Sequence, residues 1–445
     1  MASDLIVSVS GIRGVIGAGL SPAPVLAFAA ALGTHHRGGR LLVCRDSRPS
    51  GRVLRHAVLA GFLGTGCDVV DIGVAPTPTC GLAVTRLGAA GAIQITASHN
   101  PAPWNGLKLF GGDGAVLSAA KGRQVKEIYD SGQYCQVPWD KLGTLTENTR
   151  AETWHRQRIM ELIDVTRIRG RDFRVLLDAN GGAGGPLGES LLTEVHCRPV
   201  VQGGLADGHF AHPPEPLAEN LRDIAPLVAQ EKADMGFVLD PDADRLAIID
   251  ETGRYIGEEL TLALAVSCRL RQERGPVVIN MSTSRAVEDI ARQFGVPCYR
   301  SAVGEANVVE KMRAVGAVIG GEGNGGVIDP RVGWVRDPFI GMGLVLELLA
   351  QTRQSLGAQV GELPAYTIVK DKYEIARERL PGLGAALTKR WPEARANQED
   401  GLRLDWEDRW VHVRPSNTEP VVRVIAEARL GEDAEKLCRA VGESM

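Results

Sequence analysis

Short apolar runs recur along the chain, and each of them ends in a polar or glycine-rich loop. Helix-like stretches separate the runs, the first of them near Pro24 to Gly33. Strands that alternate with helices predict mainly parallel sheets, in which ligands gather beyond the carboxyl ends of the strands. The predicted strands are Arg40–Cys44, Cys67–Gly73, Ala92–Ile95, Arg174–Asp178, Met235–Leu239, Pro276–Asn280 and Val315–Gly320.

The alternation is repeated and then changes near Tyr366. A chain of 445 residues is too long for one hydrophobic core. We therefore expect an α/β protein with three tandem α/β modules, mainly parallel mixed sheets and a C-terminal α+β lid around a central cleft. Strand-like runs at Trp410–Val413 and Val421–Ile425, then a helix from Asp433 to Gly442, indicate the lid. The predicted domains are 1–150, 151–254, 255–364 and 365–445.

The composition narrows the classes of function. Hydrophobic residues make up 44% of the chain and charged residues 23%, which is typical of a globular protein, and a net charge of −4 argues against a nucleic-acid partner. No uninterrupted apolar segment reaches the roughly 18 residues of a membrane span. The eight cysteines form no Cys-x-x-Cys pair. We expect a cytoplasmic protein without a membrane partner, in which a local cationic cleft can still bind a small anion.

A serine lies where the third predicted strand gives way to a loop, in the segment Thr96–Pro101. Such a turn is a suitable place for a nucleophile, although a solvated turn would explain this segment alone. Ser98 needs an activating group. Adjacent His99 would be a poor one on an extended backbone, where neighbouring side chains point apart. Lys108 follows closely enough to return toward Ser98 on a hairpin or neighbouring strand.

Three carboxylates follow the strand that ends at Leu239. Asp240, Asp242 and Asp244 stand at alternate positions, and their repulsion is costly unless a hard cation such as magnesium or calcium offsets it. An EF-hand is the alternative, with Glu251 at its twelfth position, but Arg245 stands where that loop needs glycine. The residues after it are typical of a strand and a hairpin turn. The pattern favours magnesium, with coordination positions left open for a phosphate oxygen.

Two further loops can bind a sugar phosphate. In Gly320–Gly326 the side chains of Glu322 and Asn324 can hydrogen-bond sugar hydroxyls, although a flexible loop would look the same. In the segment that begins at Arg414, a guanidinium is followed by the hydroxyl and amide groups of Ser416, Asn417 and Thr418, which suits a phosphate. Near the N-terminus, two glycines bracket Arg13 and could present it to an anion, although a plain turn is the better explanation of this segment alone.

In this order and spacing, the loops resemble those of the α-D-phosphohexomutase family, whose members move a phosphoryl group between the 1- and 6-positions of a hexose. The resemblance covers essentially the whole chain. It implies that Ser98 is phosphorylated in the resting enzyme. It also implies that Asp240, Asp242 and Asp244 hold one Mg²⁺ together with that phosphate, so Ser98 is a metal ligand as well. We further expect a hexose bisphosphate as activator, a hexose phosphate as substrate, and a monomer or homodimer.

The resemblance also implies roles for other side chains. Lys108 matches the position proposed for acid and base work, Arg245 follows the metal loop, and His99 is a further catalytic candidate. The implied substrate-binding residues are Arg13, Glu322, Asn324, Arg414, Ser416, Asn417 and Thr418, and Arg48 falls in an element near the phosphoserine. One departure is Gly326, where many members have histidine. Arg336 and Asp337 are candidates to replace it because they follow it closely in sequence.

The residues of these motifs are most similar to those of the phosphoglucosamine mutase subgroup of that family. We therefore expect conversion of glucosamine 6-phosphate to glucosamine 1-phosphate, with phosphoglucomutase or phosphomannomutase activity as the alternative. Glu322, the only charged acceptor of its loop, could accept from a 2-ammonium group or equally from hydroxyls that all these hexoses share. A sugar-phosphate binder without catalysis belongs to a different class, and it would have no use for three aspartates beside a serine.

Overall fold

The computed structural model describes residues 5–374, 380–415 and 421–445. Its four sheets follow one another along the chain, and each is built from one stretch of sequence. The first three sheets mix parallel and antiparallel strands and are covered by helices, and the fourth is wholly antiparallel. The predicted fold class, three tandem α/β modules followed by an α+β domain, is confirmed.

The first unit carries a seven-stranded sheet. Its elements are β1 Ile6–Ser8, β2 Gly11–Val15, α1 Pro22–His36, β3 Leu41–Arg45, α2 Gly51–Gly64, β4 Val69–Val74, α3 Thr77–Leu87, β5 Gly91–Ile95, β6 Trp104–Gly111, α4 Ala119–Ser131, a 3₁₀ turn at Trp139–Lys141 and β7 Leu145–Glu147. The strand order is β1-β2-β6-β5-β3-β4-β7. Because β6 runs antiparallel to β5, Lys108 lies opposite Gln94, on the strand that leads to Ser98.

The second unit carries a four-stranded sheet. Its elements are α5 Ala151–Met160, α6 Val165–Arg169, β8 Arg174–Asp178, α7 Gly185–Glu194, β9 Arg198–Gln202, a 3₁₀ turn at Ala218–Asn220, α8 Ala225–Gln230, β10 Met235–Leu239 and β11 Leu246–Asp250. The order is β11-β10-β8-β9, and β10 and β11 pair antiparallel. The aspartate loop is therefore the turn of a hairpin. A strand, not a helix, follows it, which rules out the EF-hand alternative.

The third unit carries another four-stranded sheet, in the order β13-β12-β14-β15. Its elements are α9 Glu258–Gln272, β12 Val277–Asn280, α10 Ala286–Gln293, β13 Cys298–Ser301, α11 Glu305–Val315, β14 Ile319–Glu322, β15 Gly326–Ile328, α12 Pro338–Thr352 and α13 Leu356–Gly361. The prediction of a strand beginning at Val315 was wrong. Val315 ends α11, and Gly316 follows it in the left-handed conformation (φ 63°) that commonly closes a helix.

The fourth unit is the α+β domain. Its elements are β16 Thr367–Glu374, α14 Leu380–Arg390, β17 Arg395–Asn397, β18 Leu402–Asp405, β19 Trp410–Pro415, β20 Val421–Ala428 and α15 Gly431–Gly442. The strand order is β16-β20-β19-β18-β17. One face of α15 is apolar and packs on the sheet through Ala434, Leu437 and Val441, all of which are buried.

The second and third units share one continuous apolar core. It extends from Leu177 and Leu187 in the second unit to Ile279 and Ile319 in the third. Helix α12 lies in the middle of this core, and its residues 338–350 are all buried. A helix that is apolar all round has to be enclosed on every side. The two sheets are therefore held in a fixed relation, although each is separate in sequence.

A buried polar contact joins the first three units. Thr79 Oγ1 lies 2.9 Å from His155 Nδ1, and His155 Nε2 lies 2.8 Å from a carboxylate oxygen of Asp337. The other oxygen of Asp337 accepts from the backbone N–H groups of Phe339 and Ile340 and so caps α12. Asp337, a candidate to replace the missing histidine of the sugar loop, is thus occupied by His155 and by helix capping.

Among the described residues, no helix is both long enough and apolar enough to cross a membrane.

Candidate active site

The loop after β5 holds Ser98 in a left-handed conformation with φ 51°. A residue other than glycine adopts this conformation only when its surroundings stabilise it. The Ser98 N–H donates to Thr96 Oγ1 at 2.8 Å, and Thr96 in turn donates to the carboxylate of Asp46. Arg48 is 1% exposed, pairs with Asp46, and donates to the carbonyl oxygen of Ser98 at 2.7 Å. Arg48 also donates to the carbonyls of Asn100, Pro101 and Trp104.

Ser98 lies beside the aspartate loop. Its Oγ is 3.5 Å from Asp240 Oδ2, and one carboxylate oxygen from each of Asp240, Asp242 and Asp244 lies within 4.8 Å of the others. All three aspartates are 0% exposed. The Oδ1 atoms of Asp242 and Asp244 are buried without a hydrogen-bond partner. Buried oxygens without a donor are costly, and a hard divalent cation satisfies them, so the donor set fits magnesium.

Lys108 offsets part of this negative charge. Its Nζ lies 2.7 Å from Asp244 Oδ2 and 3.0 Å from Asp242 Oδ2. Burial alone would lower the pKa of Lys108, but the two carboxylates raise it above its usual value. Burial likewise opposes ionisation of Asp244, yet Arg336 and Lys108 hold the pKa of that carboxyl far below its usual range. Lys108 is therefore a charged group at neutral pH.

His99 lies closer to the serine than we expected. Its Nδ1 is 3.3 Å from Ser98 Oγ, because the left-handed backbone at Ser98 brings the two side chains together. The premise of an extended backbone was wrong. Arg245 Nη2 lies 3.0 Å from the same nitrogen, and Arg245 Nη1 donates to Glu215. Burial, and next the charge of Arg245, lower the pKa of His99 to about 2. His99 is thus a neutral hydrogen-bond acceptor.

The two arginines predicted near the serine have different surroundings. Arg13, on β2, donates from Nη1 to Asn100 Oδ1 at 2.8 Å, and its charge interacts with Asp242 and Arg245. Arg48 instead donates hydrogen bonds to carbonyl oxygens of the serine loop, and its guanidinium lies over the ring of Phe210, 5.0 Å from the centroid. Arg13 is therefore available to an anion, whereas Arg48 supports the loop.

The predicted sugar-binding loop, Gly320–Gly326 (the sugar loop), contains a tight turn between β14 and β15. Glu322 Oε1 accepts from Asn280 at 2.9 Å and from the Gly304 N–H at 3.0 Å, and Oε2 accepts from Arg336 at 2.9 Å. Glu322 is therefore paired with a cation and does not stand as a free anion. Asn324 Oδ1, in contrast, is buried without a hydrogen-bond partner, and is an acceptor that a sugar hydroxyl could use.

The side chain of Arg414 lies close to the third unit. It lies on β19, and its Nε is 3.5 Å from Asp400 Oδ2, which also accepts from the Val303 N–H. The predicted phosphate-binding residues Ser416, Asn417 and Thr418 lie outside the described residues. The fourth unit therefore contacts Val303 of the third unit, and the next residue, Gly304, donates its N–H to Glu322.

Thr77 and Glu305 are among the side chains of the site that were not singled out from the sequence. Thr77, at the start of α3, donates to Asp242 Oδ2 at 2.7 Å, and its N–H donates to the Asp242 carbonyl. Glu305, at the start of α11, accepts from the backbone of Arg336 at 2.8 Å. Thr77 had a recognisable signal, since it belongs to a polar segment beyond the carboxyl end of a strand. Glu305 had none.

Comparison with known proteins identifies the family. Models of the phosphoglucomutase/phosphomannomutase alpha/beta/alpha domains I, II and III match residues 4–135, 155–253 and 257–366, and the C-terminal domain model matches residues 369–443. A probable phosphoglucosamine mutase of Methanopyrus kandleri is 36% identical over 96% of this chain and 95% of its own length. A phosphoglucomutase/phosphomannomutase of Thermococcus kodakarensis is 34% identical, again over 96% of this chain and 95% of its own.

The fold agrees with this identification. The crystal structure of a phosphoglucomutase/phosphomannomutase family protein from Burkholderia thailandensis superposes with a TM-score of 0.87 at 26% identity, and the match covers 99% of this chain and 97% of that one. All four domain models match in order along the sequence. The chain therefore belongs to the phosphoglucomutase/phosphomannomutase family, the α-D-phosphohexomutases, which are isomerases.

Proposed function

We propose that this protein transfers a phosphoryl group between two positions of one hexose phosphate, through phosphorylated Ser98 and a hexose bisphosphate intermediate. The observation that carries the proposal is the position of Ser98 Oγ, 3.5 Å from Asp240, beside the unpartnered oxygens of Asp242 and Asp244. Phosphoryl transfer depends mainly on positioning and electrostatic stabilisation. A metal and a set of cations are sufficient for it.

The reaction uses two transfers. In the first, the bond between Ser98 Oγ and phosphorus breaks, and a bond forms between phosphorus and the free hydroxyl oxygen of the sugar. The bisphosphate then turns round, and its other phosphoryl group passes to Ser98. Asp240, Asp242 and Asp244 would hold Mg²⁺, which would offset the charge of the phosphoryl group. Lys108, which is charged, donates a hydrogen bond to the departing serine oxygen. The hydroxyl proton passes to a phosphoryl oxygen and from there to the departing Ser98 Oγ, since His99 has a pKa of about 2 and does not take up a proton at neutral pH.

The other predicted residues take binding roles in this proposal. Arg245 lies against His99 and close to Asp240, so it is proposed to act on the phosphoryl group near Ser98. Arg13 adds a second cation there. Sugar and distal phosphate binding are proposed for Glu322, Asn324, Arg414, Ser416, Asn417 and Thr418.

Glucosamine 6-phosphate is the proposed substrate, converted to glucosamine 1-phosphate. The support is the identity of 36% with a relative named a probable phosphoglucosamine mutase. A phosphoglucomutase or phosphomannomutase is the second candidate, because a relative with that name is 34% identical. Glu322 gives little support to an ammonium group, since Arg336 already offsets its charge.

The site does not support a serine hydrolase, although His99 lies between Ser98 and Glu215. His99 Nε2 is 3.7 Å from Glu215 Oε1, which superficially resembles a triad. The imidazole of a triad has to become positively charged during the reaction. The cation of Arg245, 3.0 Å from Nδ1, opposes that charge.

Intact-mass spectrometry tests the mutase proposal. We would incubate the protein with glucose 1,6-bisphosphate and Mg²⁺ and expect one phosphate-sized increment, mapped by peptide analysis to Ser98 and absent in Ser98→Ala. A protein that merely binds sugar phosphates would show no increment, and that outcome would refute the proposal.

Kinetics then test the substrate. With the phosphorylated enzyme, kcat/KM is compared for the 6-phosphates of glucosamine, glucose and mannose, because this ratio reports differential binding of the transition state. A preference of tenfold or more for glucose or mannose, about 1.4 kcal/mol, would replace the glucosamine assignment and leave the mutase reaction intact.

A further inference from the structure

The side chain of Arg336 occupies the space beside Gly326. A Cβ added to Gly326 would lie 2.3 Å from Arg336 Cδ and 3.0 Å from Arg336 Cγ. It would also lie 3.0 Å from Asn324 Oδ1, the unpartnered acceptor of the sugar loop. Any side chain at position 326 would therefore have to displace the stem of Arg336. Glycine at this position and arginine at position 336 fit together as a pair.

The guanidinium of Arg336 spans two loops. Its Nη2 donates to Asp244 Oδ2 at 2.5 Å, and its Nη1 donates to Glu322 Oε2 at 2.9 Å. The carboxylate of Glu305 lies 3.5 Å from Nε. Arg336 is only 8% exposed. The planar fork of an arginine can hold two carboxylates in a fixed relation, which the single ammonium of a lysine cannot do.

The backbone of Arg336 is anchored as firmly as its side chain. Its N–H donates to Glu305 at 2.8 Å, and the next residue, Asp337, donates from its N–H to the Val327 carbonyl at 2.7 Å. Asp337 also caps α12, the helix at the centre of the shared core. The guanidinium therefore has little freedom to follow either loop if that loop moves.

Both hydrogen bonds of this guanidinium are made to carboxylates of the candidate binding sites. Asp244 turns one oxygen to Arg336 and Lys108, while its other oxygen has no partner and belongs to the candidate metal site. Glu322 belongs to the candidate sugar site. The orientation of one carboxylate is thus tied to that of the other through a single rigid group.

We propose that Arg336 is a positioning residue that couples sugar binding to metal binding, and that Gly326 is required because it leaves room for Arg336. The proposal rests on the proposed function, since it takes the Asp244 loop as the metal site and the Glu322 loop as the sugar site. A carboxylate that ligates a metal typically loses 10–100-fold in metal affinity when its hydrogen-bond partner is removed. Coupling is reciprocal, so metal and sugar should each raise the affinity for the other.

The test measures metal binding directly, in a Ser98→Ala background that cannot turn over. Mn²⁺ is titrated and followed by electron paramagnetic resonance, with and without glucosamine 6-phosphate and, separately, glucose 6-phosphate. We expect either sugar phosphate to raise Mn²⁺ affinity about fivefold or more with Arg336 present. In Arg336→Gln we expect Mn²⁺ affinity without sugar to fall about tenfold or more, and the sugar effect to fall to about onefold.

Three further variants separate coupling from a general loss of structure. Arg336→Lys keeps the positive charge but can bind only one of the two carboxylates. Compared with Arg336→Gln, it should therefore recover part of the Mn²⁺ affinity and little of the coupling. Gly326→Ala keeps the arginine in the sequence but displaces its stem, so it should reduce the coupling as well. Arg331→Gln is the matched control. Arg331 forms a two-pronged pair with Asp329, and its removal should leave Mn²⁺ affinity and coupling unchanged.

Distinct results overturn the inference. Unchanged Mn²⁺ affinity and coupling in Arg336→Gln would refute it, as would an absence of coupling when Arg336 is present. If Arg336→Gln does not fold, as judged by circular dichroism, Gly326→Ala decides in its place, and wild-type coupling in that variant would refute the inference. Failure of the mutase proposal would be seen in a different experiment, as the absence of phosphate on Ser98 of the wild-type protein by intact-mass spectrometry. The two failures are therefore distinguishable.

Discussion

Asp242 and Asp244 differ in how they are paired, so the same substitution should affect them differently. Asp244 Oδ2 accepts from two cations, Lys108 and Arg336, whereas Asp242 Oδ2 accepts from Lys108 and from the neutral hydroxyl of Thr77. Either change to Asn removes one of the three clustered carboxylates. In Asp244→Asn, however, two buried cations lose their shared anion.

The expected magnitudes follow from these partners. Removing one member of a buried ion pair costs about 3–5 kcal/mol. Losing one hydrogen bond to a charged group costs about 1.5–3 kcal/mol. We therefore expect Asp244→Asn to be about 2 kcal/mol less stable than Asp242→Asn. At about 2–4 °C per kcal/mol for a unit of 150–250 residues, Tm should differ by about 4–8 °C.

The assay is thermal unfolding in EDTA, with each variant compared at one protein concentration. A Mg²⁺ titration follows, in which both variants should show much less stabilisation than the wild-type protein, because each has lost a candidate ligand. Equal Tm values in EDTA, or a lower Tm for Asp242→Asn, would refute the reasoning that the partners of Asp244 decide its structural role. Normal stabilisation by Mg²⁺ would refute the metal site.

Three more outcomes follow from the same geometry. Lys108→Met should reduce kcat by about 10² or more, because the departing serine oxygen loses its charged donor; steady-state kinetics check this, and an unchanged kcat would contradict it. Thr77→Val should weaken Mn²⁺ binding about tenfold, because Asp242 loses a donor, and an unchanged titration would contradict it. His412 is buried beside Ser282, and burial lowers its pKa to about 4. Between pH 6.5 and pH 4 the unfolded chain therefore binds a proton that the folded chain does not. Stability from neutral His412 is present in full above pH 6.5 and falls by up to ~3 kcal/mol toward pH 4, a slope that His412→Gln should reduce in urea unfolding at a series of pH values.

The sequence was a good guide wherever local signals decide the structure. The strand Met235–Leu239 was predicted with its observed bounds, because a short apolar run passes directly into a polar turn. The return of Lys108 on a strand beside Ser98 was also predictable, since Lys108 follows the serine loop too closely for a long connection. The prediction failed at Val315, where an apolar run crosses the end of a helix. Gly316, in the left-handed conformation, ends the helix there, and β14 begins only at Ile319.

Contacts between units could not be predicted in this way. Arg336 and Asp244 are 92 positions apart, and Thr77 and Asp242 are 165 apart. Each contact depends on how whole units pack, and no local pattern reports that. The core shared by the second and third units shows the same limit, because apolar periodicity identifies a buried face without identifying what covers it. The position of His99 escaped prediction for a different reason, a left-handed backbone at a serine.

The ion pairs around Asp244 bear on the order in which the chain folds. Lys108, Asp244 and Arg336 lie in three successive family domains, and Lys108 and Asp244 are 136 positions apart. Domains generally fold as units, with the N-terminal one first during synthesis. A nascent chain that has emerged only to residue 254 would carry Ser98 and all three aspartates but not Arg336. The centre can reach its final geometry only when the third domain has folded, so synthesis of more than half the protein precedes any catalytic competence.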